Sequence, residues 1–292
     1  MRSRSHTPHP LRAYDPLIIN VALTGIVPRR ATVPFVPVTA REIVEDAARC
    51  VRAGATVLHL HARNDDESPA WERAAYARFI PELRERCGDA VLCVSTSGRT
   101  ERGLEQRADV LELDGDARPD MASLTLGSLN FATEASINEP GVIVGLATRM
   151  RDRGIRPELE VFDTGMAYLA AELLDRGVIE PPAYANVILG GVNTAPATAR
   201  GLVNLVDSLP PATTWAAGGF GVFQLPMNSL AIFMGGHVRT GLEDNPWFDT
   251  QRSTAASNEA LVDRVVTVAR LAGRTVADTT WVRKRLGLPA AR

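Results

Sequence analysis

Val57-Leu58-His59-Leu60-His61-Ala62-Arg63 alternates apolar and polar residues, the period of a strand. Helical patterns lie on both sides of it. Before it, Thr39-Ala40-Arg41-Glu42 has capping-box spacing, and Ile43, Ala47, Cys50 and Val51 recur at helical intervals up to Gly54. After it, residues 71–86 place Tyr76, Phe79, Ile80 and Leu83 on one side of a second helix. A strand between two amphipathic helices is the unit of an α/β fold, and the chain repeats it in both directions.

Upstream, residues 17–25 (LIINVALTG) read as a buried strand closed by a turn. Downstream strands are expected at 90–95, 121–127, 159–162, 185–189, 213–217 and 237–242. Helices are expected between them at 101–113, where Gly103 blurs the pattern, at 142–153, and at 165–176, which stops at Gly177. Another is opened by Thr194 with Pro196 and runs through Leu209; a further one spans 224–234, and Ser257 caps a last one through Leu271. Eight strands alternating with helices over ~250 residues predict a (β/α)8 TIM barrel. A doubly wound open sheet would carry a Gly-rich turn after its first strand, and Thr24-Gly25-Ile26-Val27 is not one. Residues 16–292 are read as a single domain with a C-terminal extension, whose Trp281 and Leu286 are expected to be exposed and available to a neighbour. The basic, polar residues 1–15 read as a flexible arm.

Composition removes several function classes. A net charge of −2 gives no reason to expect nucleic acid or an anionic membrane, and no apolar run reaches the ~18 residues of a spanning helix. Cys50, Cys87 and Cys93 have no C-x-x-C spacing and read as free thiols of a reducing, cytoplasmic compartment. Lys284 is the only lysine and lies in the polar segment Arg283-Lys284-Arg285, which argues against Schiff-base chemistry.

The chemistry starts from the same stretch. Strand parity puts His59 and His61 on one face, from which two imidazoles can hold one metal ion. The strand ends of a barrel form its active rim. They supply Thr24; Ser95, Thr96 and Ser97; Ser123; Glu160 and Asp163; Asn186; and Arg239, Glu243 and Asp244. For Thr24, Thr96 and Asn186 a turn or cap role is the stronger reading. A carboxylate from the eighth strand would complete a two-His, one-carboxylate set with an open position, the pattern of catalytic zinc. Glu243 is preferred to His237, which starts its strand and should lie near the opposite end of the barrel. Arg239 and Asp244 read as an ion pair able, beside a metal, to polarise a carbonyl and move a proton. The glycines of Gly218-Gly219-Phe220-Gly221 are a weak phosphate-turn signal.

Taken together, Thr24-Gly25, Val36-Pro37-Val38-Thr39, His59-Leu60-His61-Ala62-Arg63, Ser95-Thr96-Ser97-Gly98, residues 121–131 (MASLTLGSLNF), 160–163, 235–245 (GGHVRTGLEDN) and Leu286-Gly287-Leu288 resemble the β-keto acid cleavage enzymes over about residues 16–288. The resemblance implies a homotetrameric TIM barrel with Zn2+ on His59, His61 and Glu243, and a CoA thioester as co-substrate. It implies that a β-keto acid and acetyl-CoA give acetoacetate and a new acyl-CoA. Asp244, paired with Arg239, would take the C2 proton, and Ser95, Thr96, Ser97 and Ser123 would lie at the substrate. This chain departs from the family pattern at three places. Val27 stands where amine-substrate members carry a glutamate, Ser97 where many have glycine, and Ser123 where many have threonine. The first departure predicts a substrate without an amine: an uncharged tail, or a dicarboxylic one if Arg29 or Arg30 points inward. Two other readings compete. A zinc hydrolase of the amidohydrolase type would need further histidines after later strands, and a non-catalytic barrel would leave the Arg239–Asp244 pair unexplained.

Overall fold

The structure is a computed structural model and describes residues 14–290, so the expected arm lies almost wholly outside the described residues. Its last two residues are tied down: the Tyr14 hydroxyl donates to the Phe233 carbonyl at 2.9 Å, and the Asp15 carbonyl accepts from Arg274 Nε at 2.8 Å.

Eight parallel strands close into a barrel. They are β1 (Ile19–Ala22), β2 (Val57–Leu60), β3 (Val91–Val94), β4 (Met121–Thr125), β5 (Arg156–Val161), β6 (Tyr184–Leu189), β7 (Thr214–Gly219) and β8 (His237–Thr240). Each pairs with its neighbour in sequence, and β1 pairs with both β2 and β8. The connecting helices are α1 (Ala40–Ala53), α2 (Arg73–Ala77), α3 (Ile80–Cys87), α4 (Leu104–Ala108), α5 (Pro140–Asp152), α6 (Thr164–Asp175), α7 (Ala199–Asp207), α8 (Gln224–Phe233), α9 (Asn258–Leu271) and α10 (Thr279–Arg285). No described helix is long and apolar enough to cross a membrane.

The capping box forms as its spacing predicts. Thr39 Oγ1 accepts from Glu42 N, and Glu42 Oε2 accepts from Thr39 N at 2.9 Å and Val38 N at 3.0 Å. Among the boundaries that differ from expectation, four are the clearest. Residues 71–86 form two helices, because Pro81 opens the second and cannot continue the first. Residues 101–113 give only the short α4 and a 3-10 turn, Asp109–Glu112, with Gly103 at the N-cap rather than inside. Thr194 closes a turn by accepting from Gly191 N at 2.8 Å, and Thr198 caps α7. The fifth strand starts at Arg156, three residues before the expected Leu159.

Alternate strand residues point into the barrel. At its lower end Ile18, Val57, Val91, Met121, Tyr184 and Ala216 form an apolar plug. Val282, Leu286 and Leu288 cover it from below, with Trp281 packed at the edge. Leu286 is thus buried and Trp281 partly so, against the expectation that both are free for a neighbour. Val282 and Leu286 stand four residues apart on one helical face, which the charged 283–285 run conceals. The larger core lies between strands and helices, and the three cysteines are buried and unpaired.

Candidate active site

Polar residues replace the apolar plug towards the upper end. Asn20, on β1, donates to Glu158 Oε1 at 2.6 Å and to the Tyr184 hydroxyl at 3.3 Å. Glu158 Oε2 lies 2.6 Å from His59 Nδ1, and both side chains are buried. That contact turns His59 Nε2 upwards, 3.2 Å from His61 Nε2. Glu243, beyond β8, completes a triangle: its Oε2 is 3.3 Å from His61 Nε2 and 3.7 Å from His59 Nε2. A tetrahedral zinc with ligands at ~2.0–2.1 Å needs edges of roughly 3.3–3.4 Å. The donor set, its spacing and the carboxylate behind one histidine therefore fit such an ion. Glu243 Oε2 is also buried with no hydrogen-bond partner among the described residues, as an atom awaiting a ligand bond would be.

The backbone is shaped around this triangle. Gly25 has φ +60°, and a Cβ there would fall 2.6 Å from Glu243 Cγ. Arg63, buried just after the histidines, donates to the carbonyls of Gly25 at 2.7 Å, Pro28 at 3.0 Å and Glu67 at 2.6 Å. It thereby pins the first loop, with Ile26 and Val27, over the site.

Arg239 is fully buried and joins the acidic groups. Its Nε donates to Asp244 Oδ2 at 2.9 Å, its Nη2 to Glu243 Oε1 at 3.0 Å, and its Nη1 lies 3.5 Å from Glu160 Oε1. Burial disfavours charge on His59, yet Glu158 and Glu243 beside it push it up to about 9. Burial would raise Glu158, but the charge and hydrogen bond of His59, with Arg239 behind, bring it down to about 2. Burial lowers His61. Glu243 resists burial and is held well below the carboxylate range by His61, His59 and Arg239. Burial pushes Asp244 up; Arg239 opposes this and Glu243 reinforces it. A buried carboxylate raised in this way is a stronger base than a solvated aspartate. Asp244 Oδ1 has no hydrogen bond among the described residues, and Asp244 lines the pocket.

That pocket is lined by His59, His61, Ser95, Ser97, Glu160, Arg239, Glu243 and Asp244 on the polar side. Val27, 58% exposed, stands at its mouth. The opposite wall is aromatic: Phe162 and Phe220 stack with centroids 6.2 Å apart, and Phe131 meets both edge-on. Ser123 and Thr96 do not line it. Thr96 N donates to Ser123 Oγ at 3.1 Å and Thr96 Oγ1 to the Ser123 carbonyl at 2.6 Å, so the two tie β3 to β4 and support Ser95 from behind. Thr24 donates to the Pro37 carbonyl, and Asp163 caps α6 by accepting from Met166 N at 2.9 Å. His237 sits at the lower end, where its Nδ1 accepts from Ile18 N at 3.0 Å. Gly218 and Gly219 belong to β7 itself, and a Cβ at Gly219 would meet the Phe223 carbonyl at 2.6 Å, so they serve packing rather than a phosphate turn.

The family described as "beta-keto acid cleavage enzyme" matches residues 16–288. The chain belongs to the β-keto acid cleavage enzyme family. It is 40% identical to a 3-oxoadipate:acetyl-CoA acetyltransferase of Cupriavidus necator over 279 residues, 94% of this chain and 96% of that protein. It is 37% identical to a 3-keto-5-aminohexanoate cleavage enzyme of Fusobacterium nucleatum over 275 residues, 94% and 98% of the two chains. Among solved structures, apo ObcA superposes with a TM-score of 0.77 at 22% identity, covering 87% of this chain and 66% of that one, a likeness of fold. Family members of this kind are named transferases between β-keto acids and acetyl-CoA, and this member is an enzyme of that class.

Sequence reasoning overlooked Glu158, Arg63, Arg99 and the three phenylalanines. Parity with Glu160 was the available signal for Glu158. Arg63 lies two residues beyond His61, also in parity. The phenylalanines come from three separate loops, and no local pattern connects them.

Proposed function

We propose that this chain exchanges acyl groups between a β-keto acid and acetyl-CoA, with zinc held by His59, His61 and Glu243. In the balanced reaction R–CO–CH2–COO⁻ and CH3–CO–SCoA give CH3–CO–CH2–COO⁻ and R–CO–SCoA. The bond from C2 to the acyl carbon of the keto acid breaks, one from C2 to the acetyl carbon forms, and CoA passes to the released acyl group. The observation that carries this reading is the three-atom ligand triangle lying against the Arg239–Asp244 pair in one pocket. Zinc, when bound, would supply Lewis-acid polarisation of the keto acid. Asp244 takes the C2 proton on its free Oδ1, while Arg239 fixes its other oxygen. Glu158 holds the imidazole of His59 in one tautomer and orientation. Ser95 and Ser97 offer hydroxyls to the substrate carboxylate, with Ser123 and Thr96 behind them. The apolar loop at Ile26 and Val27 disfavours an ammonium tail, since burying that charge unpaired costs several kcal/mol.

The hydrolase alternative loses ground, because His237, the one other histidine among the described residues, is at the opposite end of the barrel. A homotetramer is part of the same reading, supported by exposed apolar side chains such as Tyr168 and Leu271. A cytoplasmic setting is supported by the three free cysteines. The test is incubation with acetyl-CoA and a β-keto acid, reading acetoacetate and the new acyl-CoA. Asp244→Asn should keep about one zinc per chain and lose on the order of 10²–10⁴ in kcat. Breakdown of the keto acid without CoA, or full zinc content in a His59→Ala, His61→Ala double variant, would overturn the reading.

A further inference from the structure

The wall of the pocket carries a cation that the acyl-exchange chemistry does not use. Arg29 and Arg30, the arginines nearest Val27 in sequence, are occupied elsewhere. Arg29 Nη1 donates to the carbonyls of Ile26 at 2.8 Å and Val27 at 3.1 Å, and Arg30 pairs with Glu42 and Glu67. Neither lines the pocket. Arg99 does.

The surroundings of Arg99 are unusual for an arginine. Its side chain is 12% exposed, yet its guanidinium makes no hydrogen bond among the described residues. Its carbon lies 3.5 Å from the centroid of the Phe131 ring, a cation–π contact that holds the group over the aromatic wall. Its one ion pair is long: Nε is 3.6 Å from Glu134 Oε1, and Glu134 is 45% exposed, so water screens and competes for it. Burial lowers the pKa of Arg99, while Glu134, Glu243, Glu160 and Asp244 raise it, so the field of the catalytic carboxylates reaches it across the pocket. Arg239, the other arginine lining the pocket, is already engaged by Asp244 and Glu243. Arg99 therefore brings a sequestered positive charge with an unfilled planar fork, the arrangement that receives a carboxylate.

We propose that Arg99 selects the substrate's tail, and that the preferred substrate is a β-keto acid with a second carboxylate at its far end. This rests on the acyl-exchange reading. The keto acid head lies at the ligand triangle, its methylenes run along Phe162 and Phe220, and the distal carboxylate meets the fork of Arg99 in place of Glu134. An ammonium tail would face Arg99 itself, which adds repulsion to the lack of a partner at Val27.

The test compares 3-oxoadipate with 3-oxohexanoate, six-carbon β-keto acids with and without the second carboxylate, by kcat/KM and by direct calorimetric binding. The native enzyme should favour the dicarboxylic acid by roughly 10- to 100-fold, the size of a charge-assisted pair. Arg99→Leu should remove most of that ratio, and Arg99→Lys, which keeps the charge but not the fork, should retain part of it. Glu134→Gln, a change at a half-exposed position, should lower KM for the dicarboxylic acid by freeing the guanidinium. A ratio unaltered in both Arg99 variants, or a native preference for the monocarboxylic acid, would overturn the proposal. Acetoacetate from neither acid would refute the acyl-exchange reading instead, and the binding ratio would still decide the role of Arg99.

Discussion

Replacing Glu158 by glutamine isolates the contribution of a group that touches no substrate. Both its oxygens accept, Oε2 from His59 Nδ1 and Oε1 from Asn20 Nδ2, each at 2.6 Å. Glutamine has one acceptor, so its amide would face one donor head-on. A neighbour resolves the clash: Asn20 Oδ1 is buried without a partner, and a flip of that amide presents it to the new NH2. The Tyr184 hydroxyl, which accepts from Asn20 Nδ2 at 3.3 Å, can donate after the flip. Glu158→Gln should therefore fold, and its cost should fall on the metal site. Loss of the carboxylate behind a ligating histidine typically weakens metal binding 10- to 100-fold, or about 1.4–2.7 kcal/mol. The upper half of that range is expected, because Glu158 is fully buried and no water can replace its charge. Zinc affinity by competition with a chelator of known strength gives the number, and circular dichroism confirms the fold. Affinity within about two-fold of native would refute the view that Glu158 tunes His59.

Two further outcomes concern stability. Leu286→Ala should cost about 2–4 kcal/mol in urea unfolding, since its side chain is 2% exposed beneath the barrel; a loss that varies with protein concentration would instead place Leu286 at a contact between chains. Glu42→Gln should cost about 0.5–1 kcal/mol at neutral pH, kept small because Glu42 and Arg30 are about two-fifths exposed. Its carboxyl is lowered from 4.5 to about 2, against burial, by the Thr39 and Val38 amides and Arg30, so its contribution is complete above pH 4.5 and fades as pH falls towards 2. Native and variant unfolding curves should therefore converge over that window, and a constant gap would contradict the assignment.

The strand order and the ligand triangle were legible because each depends on short-range periodicity. His59 and His61 share a face by parity, and Glu243 follows a strand end where the chain must turn. Glu158 was concealed by Pro157: proline weakens a strand reading, so the fifth strand seemed to begin after it. Arg99 was concealed differently. Five residues past Val94 nothing in the sequence says which way a loop side chain turns, and its neighbours Phe131 and Glu134 arrive from another loop. The C-terminal cover was misread because three consecutive charges mask the two-residue apolar face of α10 and the turn after it. Local pattern thus picked out the residues of the candidate centre, while the part of the pocket proposed to meet a substrate's tail is set by contacts between distant loops.

The circular pairing of the strands has a consequence for synthesis. β1 leaves the ribosome first, but the partner on its second edge arrives last: Ile18 N meets His237 Nδ1 across 219 residues. At ~5–20 residues per second that is a wait of roughly 10–45 s. Leu17, next to β1, also bridges Val276 and donates to the Thr275 carbonyl, so the seal needs the segment beyond α9 as well. Until then the nascent sheet is an open sheet with two free parallel edges, the kind of surface that pairs with whatever strand it meets. A translation pause anywhere between β1 and the segment beyond α9, which leaves the reactive residues untouched, would lengthen that exposure by its own duration.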